Sequence, residues 1–139
     1  MVTIYEKNPL TCLIAQDIDQ DQGWGKSERP RETIWPLLQA TTDLPNISNP
    51  LQLRLYTKSQ LRKMTQEVLN DFRDQTVIIS WSHQQIPELA LLFGVDRDQV
   101  PIKWEKNRFD VTWVVDTNTK QLQQYPQMLM YGDLTTIIS

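Results

Sequence analysis

Thr76-Val77-Ile78-Ile79-Ser80-Trp81 runs through Ser82-His83-Gln84-Gln85 into Ile86-Pro87-Glu88-Leu89-Ala90-Leu91-Leu92-Phe93-Gly94. The first six residues are β-branched and apolar on both faces, which predicts a central strand covered by helices on each side. Pro87 suits the first turn of a helix, where its missing N–H costs nothing, and Gly94 suits the stop, so residues 86–93 read as a helix. Strand and helix in this order imply an α/β fold, a layered sheet with helices on both faces. His83 falls in the connection, at the carboxyl end of the strand, which is the edge where open α/β sheets bind ligands.

Working upstream, Thr57-Lys58-Ser59-Gln60 fits a capping box, and Leu61, Met64, Val68 and Phe72 follow on one face of an amphipathic helix. Residues 41–50, with two prolines and two asparagines, read as a loop. Before it, Pro30 suits a helix start and Ile34, Leu37 and Leu38 recur at helical spacing, while Pro36 predicts that this helix is short or bent. Thr11-Cys12-Leu13-Ile14-Ala15 reads as a buried strand, followed by a turn-rich loop over residues 16–23. Downstream, Phe109-Asp110-Val111-Thr112-Trp113-Val114-Val115 and residues 121–125 flank the turn Asp116-Thr117-Asn118-Thr119-Lys120, predicting a strand pair near the sheet edge. Residues 128–139 are apolar without a clear period. The whole, residues 1–139, is expected to form a single domain.

Composition narrows the chemistry. There are 14 Lys and Arg against 17 Asp and Glu, a net charge of −3 with no basic block, which argues against a nucleic-acid partner, whose binding depends on cations neutralising phosphates. The longest apolar runs are far shorter than the roughly 20 residues that span a bilayer, so no membrane span is expected. A lone Cys12 forms no internal disulfide, and the first residues lack the order of a signal peptide, which together point to a reducing cytoplasm. One Cys and one His exclude a Cys/His zinc site, and Gly23, Gly25, Gly94 and Gly132 are never spaced as a phosphate loop. No metal and no cofactor are expected, and binding must rest on isolated side chains.

The candidates are His83, Arg29 and Arg31. His83 precedes a helix start whose free N–H groups favour an anion. Lys26-Ser27-Glu28-Arg29-Pro30-Arg31-Glu32-Thr33 likewise follows an apolar strand and opens a helix, and a guanidinium holds phosphate oxygens in two parallel hydrogen bonds. The competing readings are that His83 caps its helix or packs on Trp81, and that Arg29, Arg31, Glu28 and Glu32 are a solvated, salt-bridged helix start.

Ser27-Glu28-Arg29-Pro30-Arg31-Glu32-Thr33-Ile34, followed by Val77-Ile78-Ile79-Ser80-Trp81 running into His83 and then Ile86-Pro87-Glu88-Leu89-Ala90, resembles the histidine phosphatase superfamily, the phosphoglycerate mutase-like proteins. The resemblance extends over residues 13–116. It implies that Arg29, with Thr33, is a phosphate-binding arginine and that His83 is the second pocket histidine, in a donor role. The family's Arg-His-Gly, whose histidine is the nucleophile, occurs nowhere in the sequence. Met1-Val2-Thr3-Ile4-Tyr5 looks similar to the start of the strand that carries it, and Gln84 stands where relatives commonly have glycine. A histidine phosphatase-like sheet with its N-terminal part missing or altered is therefore expected, its vacancy filled by residues 2–5 or by another molecule.

One histidine cannot be both nucleophile and pocket donor. Cys12 is a poor replacement, because burial raises a thiol's pKa, and Glu88 is the carboxylate nearest to His83 in sequence. The resemblance thus implies binding of phosphate or a phosphomonoester with little turnover. One alternative is a non-catalytic interaction or dimerisation module, a homo-oligomer for instance, with which Trp24 and Trp104 near element ends are compatible. Another is an active phosphatase completed by a second chain or by sequence beyond these residues.

Overall fold

The computed structural model describes residues 9–17, 30, 32–33, 35–36, 47–105 and 107–139. It is mixed α/β, with a small parallel sheet and a separate antiparallel pair. The chain divides into two compact units, Met1–Ser82 and His83–Ser139.

In the first unit, β1 (Leu10–Asp17), β2 (Ile47–Thr57) and β3 (Thr76–Ser80) form a sheet of order β2-β1-β3, with β1 parallel to both neighbours. Cys12, Leu13, Ile14 and Ala15 are fully buried, which is what a strand covered on both faces requires. The central place therefore belongs to β1. The expectation that residues 76–81 form the central strand is corrected: β3 lies at an edge of the described sheet, is half-buried, and leaves Ile78 37% exposed. Apolar, β-branched content suits either position, and only non-local pairing decides between them. Because β1 is paired on both sides, the described sheet is continuous across its centre; residues 2–5 lie outside the described residues.

A second correction concerns residues 41–50, expected as a loop. Ile47 to Pro50 belong to β2. The register jumps from Leu10↔Ile47 to Cys12↔Gln52, so β2 carries extra residues in an irregularity that includes Pro50. A bulge on an edge strand tolerates a proline because no ladder bond is lost there. Pro30, Glu32, Thr33, Trp35 and Pro36 are helical, in agreement with the helix expected after Pro30.

Between β2 and β3 runs α1 (Leu61–Asp71). The 3-10 turn Lys58–Gln60 that leads into it carries the predicted capping box, Gln60 Oε1 accepting from the Thr57 backbone N–H at 2.9 Å. Leu61, Met64, Val68 and Phe72 are all buried, and each such side chain contributes about 1.5–3 kcal/mol on leaving water. From β2, Arg54 Nη1 lies 3.0 Å from Asp71 Oδ2 and the guanidinium sits 4.6 Å over the Phe72 ring. Tyr56 donates its hydroxyl to Glu67. These contacts tie β2 to α1.

The second unit opens with a 3-10 turn, His83–Gln85, followed by α2 (Ile86–Leu92). Pro87 lies in the first turn of α2, and Gly94, at φ +99°, provides the left-handed residue that ends it. Then β4 (Val111–Asp116) and β5 (Gln121–Pro126) pair antiparallel, from Val111↔Pro126 to Asp116↔Gln121. Asp116 Oδ1 accepts from the N–H groups of Asn118 and Thr119 at 2.9 and 3.2 Å, which closes the turn. The expected position of this pair near the edge of the main sheet is corrected: it is a two-stranded sheet of its own. Its support is local. Trp104, Val111 and Ile138 form one buried cluster and Ala90, Val95 and Val100 another, with Trp113 against both.

Candidate functional site

His83 emerges three residues beyond the last pairing position of β3 and is half-buried. The strand, turn and Pro-led helix expected from residues 76–94 are all present. The N-cap residue of α2 is Gln85, with no side-chain capping bond, so His83 does not occupy the cap position. Glu88 is exposed in the first turn of α2. Arg29 and Arg31 lie outside the described residues; of their neighbours, Pro30 is buried while Glu32 and Thr33 are exposed.

At the carboxyl edge of the parallel sheet, Gln16 at the end of β1 accepts a hydrogen bond through Oε1 from the backbone N–H of Ser82, at 2.9 Å. This amide fixes the exit of β3 one residue before the histidine. The Ser82 hydroxyl oxygen is buried and has no hydrogen-bond partner, a state that costs about 1–3 kcal/mol. Sequence reading missed both residues. The signal available was position, since Gln16 and Ser82 each lie just past a predicted strand.

Cys12 is fully buried, and desolvation pushes its thiol up to about 11 despite the nearby Arg54 charge and backbone N–H. It is no nucleophile at neutral pH. Arg54 is engaged by Asp71 and stacked on Phe72.

The second unit contains a buried ion pair that sequence reading also missed. Arg108 Nε donates to Asp110 Oδ1 at 2.8 Å, and its other nitrogens reach the Thr136 carbonyl at 2.5 Å and the Thr136 hydroxyl at 3.4 Å. With its donors turned inward, this guanidinium stabilises the tail rather than offering a ligand site. Trp104 is core: its Nε1 donates to Arg108 O at 2.9 Å, and its ring centroid lies 5.1 Å from that of Trp113. Trp24 lies outside the described residues.

Among the described residues no group of three or more His, Cys, Asp or Glu is arranged to hold a metal ion, and no helix is long and apolar enough to cross a membrane. No family model, curated protein or solved structure matches the chain.

Proposed function

We propose that this chain is a histidine phosphatase-like protein that binds phosphate or a phosphomonoester through Arg29 and His83, with Arg31 beside them, and does not turn it over efficiently. The observation that carries the reading is the path of the chain around His83. A parallel strand ends, a short turn presents the imidazole, and a helix with proline in its first turn follows, in the order that the sequence resemblance calls for. Phosphoryl transfer through a covalent intermediate needs an attacking nucleophile as well as cationic and donor groups around the equatorial oxygens. The 139 residues contain one histidine, and the one thiol is buried and protonated.

Calorimetric titration with inorganic phosphate tests the binding half, with Arg29→Ala and His83→Ala each expected to weaken it. Incubation with a labelled phosphomonoester tests the other half. Stoichiometric label on the protein would overturn the claim of inefficient turnover.

A second reading, a non-catalytic interaction module, is favoured by the turn after β5. Leu129 is 81% exposed, Met130 76%, and Tyr131 fully. The turn is ordered from within, Asp133 Oδ2 accepting from the N–H groups of Leu129 and Met130 at 3.0 Å each. Consecutive large apolar side chains held outward are a feature of contact surfaces. Sedimentation velocity of the wild type and of Leu129→Asp tests it, and a concentration-dependent mass abolished by the substitution would support it.

A further inference from the structure

We propose that residues 127–138 form a strap that opens and closes as one unit while β4 and β5 stay paired. Both ends of its turn are fastened to a single residue. The Gln127 N–H donates to the Asp110 carbonyl at 2.7 Å, and the Leu134 N–H donates to Asp110 Oδ2 at 2.7 Å. Between these points the chain is ordered from within: Asp133 Oδ2 accepts from the N–H groups of Leu129 and Met130, and the Asp133 N–H donates to the Met130 carbonyl at 3.1 Å. A surface loop of this size with its ends brought together is a compact body in its own right. The remaining fastenings are polar too. Gln127 Nε2 donates to Thr112 Oγ1 at 3.2 Å, Arg108 holds Thr136, and the Gln124 side chain takes both backbone groups of Ile138.

What the strap lacks is apolar cover. Of residues 127–139 only Ile138 is buried, in the cluster it forms with Trp104 and Val111. Segments held by few buried side chains and by bonds at the surface open at free energies below that of the whole fold. The hairpin has separate support, since Trp113, Val115 and Leu122 pack against Ala90, Val95 and Val100, a cluster built from residues outside the strap. Met128, at the start of the strap, is held at φ +51°, a left-handed conformation that is unfavourable for a residue with a side chain and that opening relieves. Opening withdraws Ile138 from Trp104 and Val111, so the open form presents an aromatic surface that the closed form conceals.

The test uses the full chain, with amide hydrogen exchange followed residue by residue at urea concentrations below the unfolding transition. In the wild type the N–H groups of Gln127, Leu134 and Ile138 are expected to share one opening free energy, with a urea slope smaller than that of global unfolding, and to exchange before the β4–β5 ladder. Gln124→Leu removes two bonds to Ile138. It is expected to speed exchange at Gln127 and Leu134, to which Gln124 makes no bond, roughly five- to a hundredfold, the worth of two neutral hydrogen bonds. Asp110→Asn is expected to act in the reverse direction, speeding exchange at Ile138, to which Asp110 makes no bond. Strap amides that exchange only together with the ladder overturn the proposal, and so do variants that each speed only the amide whose own bond they remove.

Discussion

Arg108 and Asp110 form a buried ion pair, Nε to Oδ1 at 2.8 Å, across the single exposed residue Phe109. The pair organises the end of the chain, because Asp110 Oδ2 accepts from the Leu134 N–H at 2.7 Å while Arg108 holds Thr136. The Leu134 N–H first, and Arg108 second, hold the Asp110 carboxyl below its usual range. A depressed folded pKa means that the unfolded chain takes up the proton first. The stabilisation is therefore complete above the unfolded value of about 3.9 and is lost as pH falls through the folded one. Asp110→Asn is expected to lower stability at neutral pH and to flatten the acid limb below about pH 4. Urea denaturation at stepped pH measures both, and an unchanged acid limb would remove Asp110 as its source.

Gln124 performs a similar task from β5. Its Oε1 accepts from Trp113 Nε1 at 3.0 Å and from the Ile138 N–H at 2.9 Å, and its Nε2 donates to the Ile138 carbonyl at 3.0 Å. Gln124→Leu leaves these groups without their partner and is expected to cost about 1–3 kcal/mol. Ile138→Ala, which empties a fully buried position in the Trp104 and Val111 cluster, is expected to cost about 2–5 kcal/mol. The two residues share a bond network, so the double variant should lose less than the sum. Equilibrium unfolding followed by tryptophan fluorescence reads all three, and full additivity would show that the bonds do not couple them.

For α1 the magnitudes decide which contact matters. Met64 is fully buried, so Met64→Ala is expected to cost about 2–5 kcal/mol. The Arg54–Asp71 pair has side chains 28% and 47% exposed, and a solvent-screened pair of this kind is worth about 0–1 kcal/mol. Asp71→Asn should therefore be nearly silent, and should become more so in high salt. Chemical denaturation at two salt concentrations makes the comparison. A loss from Asp71→Asn equal to that of Met64→Ala would mean that the clamp, not the apolar face, holds the helix.

The elements legible in the sequence are those whose signals are local. Thr57 and Gln60 mark the start of α1, Pro87 and Gly94 bracket α2, and the turn-rich residues 116–120 place the hairpin, each through chemistry contained within a few residues. Sheet position was not legible. Residues 11–15 and 76–81 are both short apolar runs, and their places at centre and edge follow from pairings that no local pattern encodes. Pro50 and its neighbouring asparagine read as loop, yet an edge irregularity admits them into β2. The polar contacts that Arg108, Asp110 and Gln124 make to residues 134–138 depend on the tail folding back, so their members looked like ordinary surface residues. For the candidate site, the strand, turn and helix around His83 were legible, and the bond from Ser82 to Gln16 was not, because it joins residues from two strands far apart in sequence.

Cys12 offers a test of β1 as the buried centre of the sheet. Burial raises its thiol to about 11, above the value of about 8.5 for a free thiol. A folded pKa above the unfolded one means that the native state retains the proton longer. Its contribution to stability is full below the unfolded value and declines as pH rises through the folded one. Between about pH 8.5 and 11 the wild type should therefore lose stability more steeply than Cys12→Ala, and the difference isolates the thiol from tyrosine and lysine titration. In native protein at pH 8 the thiol should react with a disulfide reagent far more slowly than in urea, since it is both protonated and enclosed. Fast native labelling, or parallel alkaline limbs for the two proteins, would place Cys12 in contact with solvent and β1 at a surface.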